Sequence, residues 1–121
     1  MKLAIIRSRT CPPIDIEQHL RKIPDTIVSG GAVGADTYAR EFAKKKELKI
    51  IEFFPNYDLY GKKAPLVRNK LIAEECDCMI AFWDGKSTGT KFTIDYTESF
   101  WKKSKSDSFL TNCSNCFIVP I

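Results

Sequence analysis

Two turns in this chain have the composition to hold an anion. The first, "SGGAVGAD" from Ser29 to Asp36, sets Gly30, Gly31 and Gly34 ahead of the helical pattern "TYAREFAKK". Glycine has no Cβ, so another molecule can come against the main-chain amides. A helix begins with unpaired N–H groups and a partial positive charge, so a bare backbone at its mouth suits a phosphate. The second turn, "WDGKSTGT" from Trp83 to Thr90, repeats that chemistry: Gly85 and Gly89 flank Lys86, Ser87 and Thr88 just before another helical stretch. A tight strand-to-helix turn without a ligand would use the same glycines. Two such turns at one end of one sheet favour the anion.

Other side chains near these turns have chemistry to offer. Arg68 and Asn69 fall at the first turn of a helix, where they could reach a phosphate or ribose; a surface salt bridge is the alternative. Ser8, Ser29 and Ser87 are hydroxyls at strand ends, suited to phosphate donors and to turn formers alike. Arg9 shares the loop "RSRT" with Ser8, and Asp84 leads the second turn. Asp36 is placed to cap its helix and would hold a ribose hydroxyl only if turned out of the cap. Lys86 is a phosphate contact, whereas Lys91 on the following helix is solvated. Trp83, Tyr57 and Tyr60 could stack a base, an interaction worth ~1–3 kcal/mol; for Trp83 packing under the last helix is the alternative. No pair of carboxylates stands out as a general acid and base; Asp36, Asp95 or Glu98 would have to serve, and no catalytic residue is assigned.

These residues need elements to position them, and the chain alternates strand and helix. Apolar runs at Lys2–Ile6, Thr26–Gly31, Leu48–Pro55, Asp77–Gly85 and "CFIVPI" read as strands. Helical spacing covers Ile14–Ile23, Thr37–Glu47, Pro65–Cys76 and about Thr90–Lys103. His19 in the first of these is a surface helix residue. Strands separated by helices imply right-handed crossovers, so the predicted fold is a single α/β, doubly wound, mostly parallel sheet of about five strands with helices on both faces and the first strand central. Ligands of such sheets lie beyond the carboxyl ends of the strands, where the strand order reverses, and both glycine turns fall at that edge.

Composition narrows the function classes. With 121 residues and 44% hydrophobic content the chain has enough apolar material for one core, so residues 1–121 form one domain. The net charge of +4, from 19 basic and 15 acidic residues, is too small for a nucleic-acid binder acting by electrostatics alone. No apolar run approaches the ~20 residues that cross a bilayer, and no secretory leader is visible, which predicts a cytoplasmic protein with no membrane partner. Five cysteines, an odd number, fit reduced thiols. "CSNC" at Cys113–Cys116 has zinc-knuckle spacing but lacks a second pair, "CDC" at Cys76–Cys78 being too tight, so no metal is assigned.

"SGGAVGADTYAREFA", "APLVRNKLIAEECDCMIAFWDGKSTGTKFTIDY" and the early "SR" together resemble the YspA-type members of the SLOG superfamily, which groups the Smf/DprA DNA-processing proteins with the Lonely Guy phosphoribohydrolases. The resemblance runs from the first strand through the fourth helix. It implies a Rossmann-like sheet that binds a nucleotide or a nucleotide-derived ligand. The DprA side of the superfamily shows similar signatures at Ser29–Asp36, Phe54–Pro55 and Arg68–Asn69. Two positions depart from the pattern. Arg7 stands where the family has a glycine after the first strand; its bulk would close the pocket or its guanidinium would join the same anion. Thr93 stands where Lonely Guy enzymes carry a glutamate, and Asp95, two residues on, faces another way on a helix.

Three readings follow: a domain that binds or senses a nucleotide-derived small molecule, a hydrolase of Lonely Guy type cleaving an N-glycosidic bond, and a DprA-like binder of single-stranded DNA. The first is the one the residues favour; nucleic acid is the less favoured partner. A bound nucleotide or ADP-ribose-like ligand is the only cofactor implied. Self-association is expected from the resemblance and from the aromatic stretch "FTIDYTESFW", in which Phe100 or Trp101 would be exposed.

Overall fold

Parallel strands cannot be joined by a tight turn, so the chain must cross back over the sheet between them. The structure is a computed structural model in which residues 1–8, 11, 12, 15–20, 22–30, 37–104 and 116–121 are described. The described strands are β1 (Lys2–Arg7), β2 (Thr26–Ser29), β3 (Lys49–Glu52), β4 (Cys78–Trp83) and β5 (Cys116–Pro120). They form one five-stranded sheet in the order β3-β2-β1-β4-β5, with every neighbouring pair parallel. The expected α/β architecture is thus present as one all-parallel, Rossmann-like sheet with the first strand in the centre. The chain steps from β1 outward through β2 to β3 and then crosses to β4 on the other side. The strand order therefore reverses between β1 and β4.

The α-helices are α1 (Thr37–Lys45), α2 (Tyr57–Tyr60), α3 (Ala64–Glu75) and α4 (Thr88–Ser104). Alternate residues of the central strands go to two separate apolar clusters, as the two-residue period of a strand requires. Leu3, Ile5, Ile27, Ile80 and Phe82 pack with Ala39, Phe42 and Ala43 of α1. Ala4, Val28, Met79 and Ala81 pack with Ile72 and Ala73 of α3 and Ile94 of α4. Trp101 packs against the second cluster and Phe100 stacks on Tyr96, so neither ring of the aromatic stretch is the exposed surface that the sequence suggested.

Some boundaries differ from those the sequence predicts. The expected first helix over 14–23 is, among the described residues, only a 3-10 turn at Ile16–His19. Asp15 accepts from the Glu17 amide, and Leu20 is already extended, so the turn closes before helical periodicity can continue. His19 is exposed, as expected, with its ring edge-on to buried Phe82. The third strand is shorter than Leu48–Pro55 because its partner β2 ends at Ser29, opposite Glu52, and the chain runs on into α2, a short helix that the sequence pattern did not indicate.

α1 ends at Lys45, and the residue that stops it is not a glycine. Glu47 has φ 57°, in the left-handed region. The Glu47 amide donates to the Lys44 carbonyl at 3.2 Å and the Leu48 amide to the Ala43 carbonyl at 2.8 Å, the paired bonds of a Schellman end. The left-handed conformation costs a non-glycine residue roughly 1–2 kcal/mol, while a glycine there gives back roughly 0.5–1 kcal/mol in chain entropy. Glu47→Gly is accordingly expected to stabilise the protein by about 0.5–1 kcal/mol, read as a rise in the urea midpoint at unchanged slope.

Candidate functional site

The turn after β4 is built around one carboxylate. Gly85, at φ 82°, bends the chain so that Asp84 Oδ1 accepts from the Lys86 amide at 2.8 Å and the Ser87 amide at 2.7 Å. Ser87 then serves as the N-cap of α4: its Oγ accepts from the Thr90 amide at 3.4 Å and its carbonyl accepts from Lys91 at 3.1 Å. The Trp83 indole donates to the same Ser87 carbonyl at 3.1 Å, so this ring fastens the turn. Two of the amides expected to meet an anion are therefore engaged by the protein's own carboxylate. What the turn offers inward is a set of hydroxyls.

Those hydroxyls tie the turn to the central strand. Ser8, 2% exposed and directly after β1, accepts from the Asp84 amide at 3.2 Å and donates to Thr90 Oγ1 at 3.4 Å, while Ser87 Oγ donates to Thr90 Oγ1 at 3.1 Å. The Ser8 amide also donates to the Phe82 carbonyl at 2.9 Å. Ser8, Asp84, Ser87 and Thr90 thus meet where the strand order reverses, the place at which open α/β sheets take ligands. Lys86 is exposed beside them, and Gly89 has open space where a Cβ would lie. Its carbonyl accepts from Thr93 Oγ1 at 2.9 Å.

The other half of the site lies at the end of β2. Arg68, reaching from the first turns of α3, donates from Nη1 to the Gly30 carbonyl at 2.6 Å and from Nε to Asn69 Oδ1 at 2.7 Å. The packing is close: a Cβ on Gly30 would fall 2.5 Å from Arg68 Nη1. Any side chain at position 30 would have to move that guanidinium. Ser29, fully buried, has an Oγ with no hydrogen-bond partner among the described residues. A buried hydroxyl left unpaired costs about 1–3 kcal/mol. Arg9, Gly31, Gly34 and Asp36 lie outside the described residues, as does most of the first glycine turn.

Arg7 does not join this group. Its Nη2 donates to the carbonyls of Cys11 at 3.2 Å and Pro12 at 2.7 Å, and its guanidinium lies 4.1 Å from the Tyr38 ring centre, over its face. Arg7 thus holds the loop after β1 against α1. Asp95 pairs with Lys91 at 2.7 Å on the exposed side of α4, and Thr93 is buried with its hydroxyl turned to its own helix. Among the described residues no group of three or more His, Cys, Asp or Glu could hold a metal ion. Cys11 and Cys78 carry free thiols, Cys76 is buried, and burial pushes the Cys78 thiol up from its ordinary range.

Compared with known protein families, with curated proteins and with solved structures, the chain matches none of them.

The contact between Arg68 and Gly30 is directly testable. A methyl on Gly30 would displace the guanidinium, the far end of a flexible side chain, in preference to the backbone. Gly30→Ala and Arg68→Ala are each expected to cost about 1–3 kcal/mol, the range for leaving a buried partner without its hydrogen bond. Because both remove the same contact, the double variant should cost little more than either single one, measured by urea denaturation as a double-mutant cycle.

Proposed function

We propose that this chain is a SLOG-type domain that binds or senses a nucleotide-derived small molecule at the carboxyl edge of its sheet. One observation carries the reading: the ends of three adjacent parallel strands, β2, β1 and β4, bring Ser29 and Gly30, Ser8, and Asp84 to one edge, with Arg68 and Thr90 reaching in from helices. Its two halves differ in charge. Arg68 gives the β2 side a cation, and Asp84 gives the β4 side an anion that already fills part of its turn. The phosphate accordingly belongs on the β2 side, against Arg68 and the glycine turn. The hydroxyls of Ser8, Ser87 and Thr90 suit an uncharged polar part of the ligand, such as ribose. No helix among the described residues is long and apolar enough to cross a membrane.

Calorimetric titration with AMP and ADP-ribose tests this. The wild type is expected to bind at least one of them, and Arg68→Ala should weaken that binding about ten- to hundredfold, from loss of a charge-assisted contact of roughly 1.5–3 kcal/mol. Circular dichroism would establish that the variant folds. Binding that is unchanged in Arg68→Ala would place the ligand elsewhere.

A further inference from the structure

The loop between β3 and α3 spends apolar surface in a way that packing does not explain. Phe54 and Tyr57 are 61% and 60% exposed, and Leu59 and Tyr60 beside them are exposed as well. Large apolar side chains scattered singly on a surface are ordinary, but several within seven residues mark a contact site. Phe54, Pro55, Asn56, Tyr57 and Asp58 line an open depression of about 530 Å³. Its lining mixes aromatic rings with an amide and a carboxylate. That combination suits a planar heterocycle, which needs a face to stack on and partners at its edge.

The backbone that carries Tyr57 and Tyr60 is also held in place. Asn56 Oδ1 accepts from the Leu59 amide at 3.1 Å, and its carbonyl accepts from the Tyr60 amide at 3.0 Å, so Tyr57 and Tyr60 sit on a capped helical turn, with Phe54 two residues before its cap. Gly61, with φ 58° and ψ −133°, closes that turn in a conformation essentially reserved for glycine, although nothing lies within 4 Å of where its Cβ would be. It is kept for its backbone and not for want of space. At the near end, the Phe53 amide donates to the Ser29 carbonyl at 2.9 Å, fixing the start of the loop to the end of β2. At the far end, Lys62 and Lys63 lead into α3, whose Arg68 touches Gly30. An exposed aromatic segment on a fixed backbone therefore adjoins the cationic half of the site, while the Trp83 indole N–H is engaged by Ser87.

We infer that the segment from Phe54 to Tyr60 is the base-stacking subsite for the nucleotide-derived ligand, with Tyr57 and Phe54 supplying ring faces and the lysines complementing its negative charge. The inference rests on the function proposed above, and three ligands separate the two: AMP, ribose 5-phosphate, which lacks the base, and adenosine, which lacks the phosphate. In calorimetric titrations the wild type should bind AMP about 5- to 150-fold more tightly than ribose 5-phosphate, the factor that stacking one base supplies. The double variant Phe54→Ala/Tyr57→Ala should lose that preference and keep its affinity for ribose 5-phosphate, and Tyr57→Phe should retain the preference. Both positions are exposed, so the fold should survive, which thermal melts would check. Adenosine binding that depends on Tyr57, without binding of ribose 5-phosphate, would support the stacking subsite and reject the phosphate site. AMP binding that needs Arg68 but is indifferent to Phe54 and Tyr57 would overturn the subsite and leave the proposed function standing. Equal binding of AMP and ribose 5-phosphate by the wild type, or binding of none of the three, would also overturn it.

Discussion

The arrangement depends on β1 being hydrogen-bonded on both edges to parallel partners, β2 and β4. A parallel pair cannot be joined by a tight turn, so each connection must cross a face of the sheet and begin again at the opposite end. The start of every crossover then falls on one edge. Ser8, Gly30, Phe54 and Asp84 follow four different strands, yet all lie at that edge for this one reason. The placement of β1 also puts the reversal of strand order beside it, and Ser8 bridges that gap to Asp84 and Thr90.

Charge divides the edge in two. At the end of β4, Asp84 satisfies the amides that a glycine turn would otherwise present, and Ser87 caps the helix that follows. At the end of β2, a guanidinium lies directly on a glycine carbonyl. The second end therefore carries positive charge and the first negative charge. The two turns look alike as strings of glycine, serine and lysine, but differ in which group already occupies their hydrogen bonds. Arg7 adds a third case: a cation at the mouth of the site whose contacts are to two carbonyls and a tyrosine ring of the surrounding loop and helix.

Rigidity is likewise local and has named sources. Ser8, Thr90 and the Trp83 indole cross-link the β4 turn to the central strand and to α4. Asn56 and Gly61 fix the aromatic loop at both ends of its short helix. Both loops meet the sheet at strands whose backbone bonds are shared with neighbours, so neither can shift without breaking a ladder or a cap. Polar groups that recognise a ligand gain from being held in place before it arrives, because less ordering remains to be done on binding.

Much of this was legible in the sequence. The apolar runs around Ile5, Val28 and Ile80 have the length and composition of buried parallel strands, and the alternation with helical patterns determined an α/β sheet, its parallel sense and the edge on which the glycine turns would lie. Periodicity carries that information because it records which faces must be buried. It could not reveal the end of α1, where Glu47 takes a left-handed conformation that residue type argues against, or the failure of residues 14–23 to form a helix, where Asp15 turns the chain on itself. Nor could it reveal that Asp84 accepts from the amides of Lys86 and Ser87, that Arg68 covers Gly30, that Arg7 turns to Tyr38, or that Tyr57 stays exposed while Trp101 does not. Each of these depends on which of several available partners lies within about 3–4 Å once the chain is folded, and residues distant in sequence meet at that range only through the tertiary structure.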